Sequence, residues 1–157
     1  MLKFQIRLGQ PSDIPYLVQY NLQMAWETEG KKLDPQIVQR GVSRVFEQPS
    51  LGFYLVAADE GEKLIGQLMV TTEWSDWRDG LFWWIQSVYV PEEARRQGVF
   101  RALFEEIQRM ARQNGHVVGL RLYVEHENYR AQQTYSKLGM RRTSYEVMEI
   151  DWSNSSM

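Results

Sequence analysis

Val88-Tyr89-Val90-Pro91-Glu92-Glu93-Ala94-Arg95-Arg96-Gln97-Gly98-Val99-Phe100-Arg101 is the stretch around which the chain is organised. It reads as an apolar strand, a short turn closed by basic residues and one glycine, and then a helix. From Val99 onward apolar residues recur at Leu103, Ile107, Met110 and Ala111, which is helical spacing. Pro91 cannot donate a ladder hydrogen bond, so the strand should end at about Val90. The first helical turn then points free N–H groups, and the positive end of its dipole, back over the strand end. Gly98 has no Cβ, so a bulky anion can approach those amides closely. Arg95, Arg96 and Arg101 bring positive charge to the same spot, and a phosphate or pyrophosphate is the natural guest. The competing reading is a solvated basic face ahead of a helix.

A second stretch lies about 30 residues on. Gly119 to Val124 reads as a strand, followed by Glu125-His126-Glu127-Asn128 and a short helix carrying Ala131, Tyr135 and Leu138, which ends near Gly139. Together the two stretches resemble the GCN5-related N-acetyltransferase superfamily. Arg95-Arg96-Gln97-Gly98-Val99-Phe100 is similar to that family's Gln/Arg-x-x-Gly-x-Gly/Ala loop, with Phe100 where Gly or Ala is usual. Asn128, Ala131, Tyr135, Gly139 and Met140 match the later motif, with Met140 where an aromatic is common. The resemblance spans the whole chain and implies an acetyl-CoA-dependent N-acetyltransferase acting on a primary amine. It also implies an α/β mixed sheet whose two parallel central strands splay apart, the thioester arm of the co-substrate lying in the gap.

Composition sets the frame for this reading. The 157 residues make one ordinary domain (1–157), and the formal net charge of −2 argues against general nucleic-acid or membrane binding. With no cysteine and only His116 and His126 as histidines, disulfides, thiolate chemistry and a multi-histidine metal site are not expected. No signal-like core or membrane-spanning run occurs, so a cytoplasmic location is the default, and a homodimer stays open.

In chain order, Lys3 to Leu8 alternates as a first strand. Pro11-Ser12-Asp13 opens a helix to about Trp26, and Asp34 caps a second helix that has Pro35 at its first position and runs to about Glu47. Gly52 to Ala58 and Leu64 to Thr72 form a hairpin around Asp59-Glu60-Gly61-Glu62. Leu81 to Val90 is apolar on both faces, as a central strand would be. Val99 to Asn114 is a helix stopped by Gly115, Val117 to Val124 returns as a strand, and Arg142 to Ile150 makes a last one. Residues 151–157 form a frayed polar tail. The resulting order is β-α-α-β-β-β-α-β-α-β.

Acyl transfer from a thioester needs a held co-substrate, a neutral amine and a stabilised leaving thiolate. The resemblance assigns the pyrophosphate to the amides from Arg96 to Arg101 and the pantetheine amides to the backbone of Val88, Tyr89 and Val90. The side chains of those three residues remain core. Phe100 must then turn its ring away from the phosphates, into the helix–sheet interface. Asn128 is a natural N-cap that can also bind the arm, and small Ala131 leaves room for it.

Tyr135 is the candidate general acid. A phenol of pKa about 10 protonating a thiolate whose acid is near 8.5 is uphill by roughly 2 kcal/mol, so a bond that strengthens as charge develops suffices. The family often places a general-base Glu where this chain has Gln86, and Gln cannot take a proton. Either Glu73 acts, directly or through water, or solvent removes the proton; Glu27 and Glu29 could line the acceptor side. Trp26, Trp74 or Trp77 could line an acceptor pocket with Glu27 or Glu73, against the plainer reading that these rings pack on the sheet. A non-catalytic acyl-CoA-binding module and a basic-loop domain that binds some other nucleotide or nucleic acid are the competing functions.

Overall fold

The computed structural model describes residues 2–153, which fall into two compact units, Met1–Tyr123 and Val124–Met157. The first holds β1 (Phe4–Leu8), α1 (Ile14–Glu29), α2 (Pro35–Glu47), β2 (Phe53–Asp59), β3 (Leu64–Ser75), β4 (Gly80–Tyr89), α3 (Val99–Gln113) and β5 (Val117–Leu122). The second holds α4 (Tyr129–Lys137). The five strands form one sheet in sequence order, antiparallel throughout except that β4 and β5 run parallel.

The local chemistry explains these bounds. Pro11–Asp13 makes a single 3-10 turn before α1, and Asp13 takes the Gln10 N–H at 2.7 Å. The Asp13 carboxylate also receives both Arg7 guanidinium nitrogens, at 2.8 and 3.0 Å, and so ties β1 to the start of α1. Asp34 caps α2 by accepting the Gln36 N–H at 2.8 Å, with Pro35 in the first turn as expected. Gly30, at φ +63, ends α1 in the left-handed conformation that glycine adopts without strain.

Leu17, Val18 and Tyr20 of α1 and Val42 of α2 bury themselves against Tyr54, Val56, Ala58, Leu64 and Tyr89 on one face of the sheet. Helix α3 buries Val99, Leu103, Phe104 and Ile107, and it packs on the opposite face. It comes so close that a Cβ on Gly66 of β3 would meet Val99 Cγ1 at 2.6 Å. That approach fixes the start of α3 against β3 at Gly66, the residue before Gln67, which is the register partner of Tyr89.

Three expectations need correction. Residues 141–150 form no strand, and Tyr145, Val147, Met148 and Ile150 are exposed. Alternation supplies a face but not a ladder partner, and α4 is the only regular element among the described residues of that unit. Gly115 does not stop α3: Asn114 is the C-cap, and its side chain accepts the His116 N–H at 3.0 Å. Strand β5 ends at Leu122 rather than Val124. In the tail, Ser153 donates its backbone N–H to Asp151 at 2.8 Å, and residues 154–157 lie outside the described residues.

Candidate functional site

The parallel ladder between β4 and β5 ends at the Ile85–Leu122 pair, whereas β4 continues to Tyr89. From Gln86 onward, β4 therefore presents on its β5 side a backbone edge that β5 does not pair. The ladder stops where β5 itself ends, at Leu122, so β4 runs on past its neighbour through Val88 and Tyr89, two of the three residues expected to hold the co-substrate arm. An extended amide chain can dock on such an edge as an added strand does.

A bulge sets the direction of this segment. Gln67 of β3 pairs with Tyr89 and Met69 with Gln86, so Ser87 and Val88 together stand opposite Leu68. Ser87 takes the left-handed conformation, φ +52. Without the extra residue, Gln86 and Tyr89 would face opposite sides of the sheet. With it, both face the α1 side. Gln86 donates to Thr71 Oγ1 at 2.6 Å, and Tyr89 is buried in the core cluster with α1.

Beyond Tyr89 the chain makes a 3-10 turn at Glu92–Ala94 and a loop in which Arg96 (φ +64) and Gly98 (φ +81) are both left-handed. The amide of Ala102 bonds Gly98 O at 3.0 Å, so the earlier amides of the first turn of α3 stand at its mouth. A Cβ built on Gly98 would meet nothing within 4 Å, so the space beside these amides is open. Among the described residues, no His/Cys/Asp/Glu group could hold a metal ion.

The three arginines are not equivalent. The Arg95 guanidinium bonds Glu27 Oε2 at 2.6 Å and Val90 O at 2.8 Å, and it lies 5.6 Å from the Tyr89 ring centre. Arg101 pairs with Glu105 at 3.0 Å. Arg96 is exposed and, among the described residues, has no ion-pair partner, which makes its charge available to an anion. Gln97 donates to Glu93 O at 3.2 Å, and Val99 is buried at the helix start. The Phe100 ring is half-buried and lies 6.1 Å from that of buried Phe104, one turn along α3.

Glu27, expected on the acceptor side, is bonded to Tyr89 at the end of β4 and to Arg95 in the loop that follows. Its Oε1 accepts the Tyr89 hydroxyl at 2.7 Å, and Gln23 Oε1 lies 3.1 Å from the same hydroxyl. Desolvation pushes the Glu27 carboxyl up, but the hydrogen bonds from Tyr89 and Arg95 outweigh it and hold the group below its ordinary value. Burial and the bond to Glu27 push the Tyr89 phenol well up. Gln19, Gln23, Glu27, Tyr89 and Glu93 line a cleft of about 320 Å³ between α1 and the strand end.

Glu73 lies elsewhere. It stands opposite Phe82, and its Oε1 bonds Arg121 of β5 at 2.9 Å, the Arg121 guanidinium lying 3.7 Å over the Phe82 ring. Phe82 precedes Gln86 by four residues, roughly 13 Å of strand. Trp74 sits opposite Leu81 at that same far end, whereas Glu27 contacts Tyr89 at the near end. Glu73 and Trp74 therefore lie together at one end of β4 and Glu27 lies at the other, so an acceptor pocket would be built at one end or the other and not across both. Trp26, Trp74 and Trp77 are all exposed, whereas Trp83 packs edge-on to Phe53 and Trp84 lies 4.5 Å from the Tyr123 ring. Glu29 pairs with Lys31 at 3.5 Å.

In the second unit Asn128 caps α4, its Oδ1 accepting the Ala131 N–H at 3.2 Å. Tyr135 lies in the helix; burial pushes its phenol up. Gly139 (φ +96) closes α4, with the Met140 N–H on Tyr135 O at 3.0 Å. Sequence reading missed Gln67, Ser87 and Gln23. Only the left-handed serine is unusual in itself, and nothing in the local sequence marks it.

Comparison with known proteins gives a consistent picture. The model of the Acetyltransferase (GNAT) family matches residues 17–140. A possible acetyltransferase from Clostridium difficile 630 is 40% identical, with a TM-score of 0.89 over 96% of this chain and 98% of that one. A probable acetyltransferase at 24% identity gives a TM-score of 0.82, covering 94% of this chain and 99% of that one. A predicted acetyltransferase with acetyl-CoA from Clostridium acetobutylicum shares the fold at 16% identity, with a TM-score of 0.76 over 96% of this chain and 97% of that one. No curated protein matches the chain.

Proposed function

The chain belongs to the acetyltransferase (GNAT) family of acetyl-CoA-dependent acyltransferases, and on that footing we propose that it moves an acetyl group from acetyl-CoA to a primary amine of a small molecule or protein by direct attack in a ternary complex. The observation that carries this reading is the run of β4 past its β5 partner, ending at a loop with open space beside Gly98. The free edge suits the pantetheine amides, and the first amides of α3 with Arg96 suit the pyrophosphate. Asn128 is a further ligand of the arm in this reading.

The neutral amine attacks the thioester carbonyl carbon, the C–S bond breaks, and the sulfur takes the proton of the Tyr135 hydroxyl. The amine proton leaves to solvent, and solvent reprotonates Tyr135. Burial pushes the Tyr135 phenol up, which makes full transfer to sulfur harder, so its role in this reading is a hydrogen bond that strengthens as charge develops on the sulfur, with transfer late. Glu73 is engaged by Arg121 and Glu27 by Arg95, so neither is given the base role. In this reading Gln86, which lies on the α1 face of β4, lines the acceptor site without taking the proton. No helix among the described residues is long and apolar enough to cross a membrane.

Release of free thiol from acetyl-CoA across a panel of amines tests the proposal. Amine-dependent release supports it. Tight acetyl-CoA binding with no release for any amine favours the non-catalytic acyl-CoA-binding module, which is the reading that Gln86 at the usual base position would suggest.

A further inference from the structure

Ser87 departs from extended geometry two residues before the end of β4: at φ +52 it adopts a conformation that L residues other than glycine rarely hold. Something must stabilise it. The side chain of Gln67 is fully buried under α1, and its Nε2 donates to Ser87 O at 3.0 Å. The other half of that amide, Oε1, is buried with no partner among the described residues. An amide half-satisfied in a core is destabilising where an apolar side chain of the same length would not be. The bond to Ser87 is what the amide supplies in return.

We infer that Gln67 is a positioning residue that clamps the β4 bulge and thereby aims the Val88–Val90 backbone at the co-substrate arm. Gln67 is also the register partner of Tyr89, the first residue after the bulge, so it holds both the extra residue and the strand that resumes behind it. Released from the clamp, Ser87 would relax toward extended geometry, Gln86 and Tyr89 would lose their shared face, and the link from Tyr89 to Glu27 would be drawn off line. The connection to binding rests on the proposed function; the hold on the bulge does not.

The test combines Gln67→Leu and Gln67→Met with Ser87→Gly, which takes a positive φ without help. Three quantities are read: the thermal midpoint, the acetyl-CoA dissociation constant, and amide exchange in the peptide spanning 84–90. Expected for both Gln67 variants are a midpoint near or above the wild-type value, binding weakened by about fivefold or more, and faster exchange at 87–89. Adding Ser87→Gly to Gln67→Leu should bring the dissociation constant back to within about twofold. Wild-type exchange in both variants, or weakened binding that Ser87→Gly does not restore, overturns the inference. If wild type itself fails to bind acetyl-CoA, the proposed function falls, and exchange at 87–89 still decides the role of Gln67.

Discussion

Glu27 Oε2 stands 2.6 Å from Arg95 Nη2 and ties the last turn of α1 to the loop after β4. The two residues are 68 positions apart, and the pair is supported from both sides. Tyr89 donates to the second Glu27 oxygen at 2.7 Å, and Arg95 reaches back to Val90 O at 2.8 Å. The basic loop is thus braced before any anion arrives. Of its arginines, Arg95 acts as a strut, whereas Arg96 is exposed and has no ion-pair partner among the described residues.

Replacing Glu27 by Gln should weaken this brace modestly, because both side chains are about two-fifths exposed (42% and 40%) and an exposed pair is worth about 0.2–1 kcal/mol. The folded-state pKa of Glu27 is depressed, so its contribution is fully present above the unfolded value of about 4.3 and is lost as pH falls through the folded value. Thermal melts should show wild type above Glu27→Gln at pH 7. The difference should vanish in strong acid, below the folded pKa of Glu27.

Gly98→Ala places a Cβ on a left-handed residue, costing about 1 kcal/mol of stability, although nothing in the protein obstructs it. The methyl would instead intrude on the open space beside the loop amides. Acetyl-CoA affinity should fall by about fivefold or more, measured by calorimetry below the melting range.

Tyr135→Phe should lower kcat by about tenfold or more while the acetyl-CoA dissociation constant stays near wild type. Single-turnover thiol release checks this. An unchanged rate removes Tyr135 from the acid role.

With no protein base assigned, kcat/KM should climb with pH along the titration of the acceptor amine itself. Gln86→Glu puts a carboxylate on the α1 face of β4, beside Thr71. The rise should then move to lower pH, and a pH–rate profile with a single amine reads the displacement.

Asn128→Ala should cost α4 about 1 kcal/mol and Asn128→Asp much less, since Asp keeps the cap on Ala131. Helical circular dichroism on heating compares the two.

The strands and helices through α4 were readable because each carries its own periodicity and punctuation. Asp34-Pro35 and Asn128 cap the helices they were expected to cap. What the sequence hid was relational. The bulge depends on how β3 pairs with β4, and nothing in the sequence around Gln67 or Ser87 announces that pairing. Glu27 looks the same in sequence whether it faces an acceptor or Arg95. Residues 142–150 alternate like a strand, yet pairing needs a neighbour, and periodicity cannot name one. Asn114 displaced Gly115 as the end of α3 because an amide side chain could take the His116 N–H directly.

Calorimetric titration of the wild-type protein with acetyl-CoA and, in parallel, ATP tests the central claim most directly. A β4 edge that takes the pantetheine arm predicts acetyl-CoA binding at least about tenfold tighter than ATP. Equal affinities, or no heat with acetyl-CoA, would contradict it.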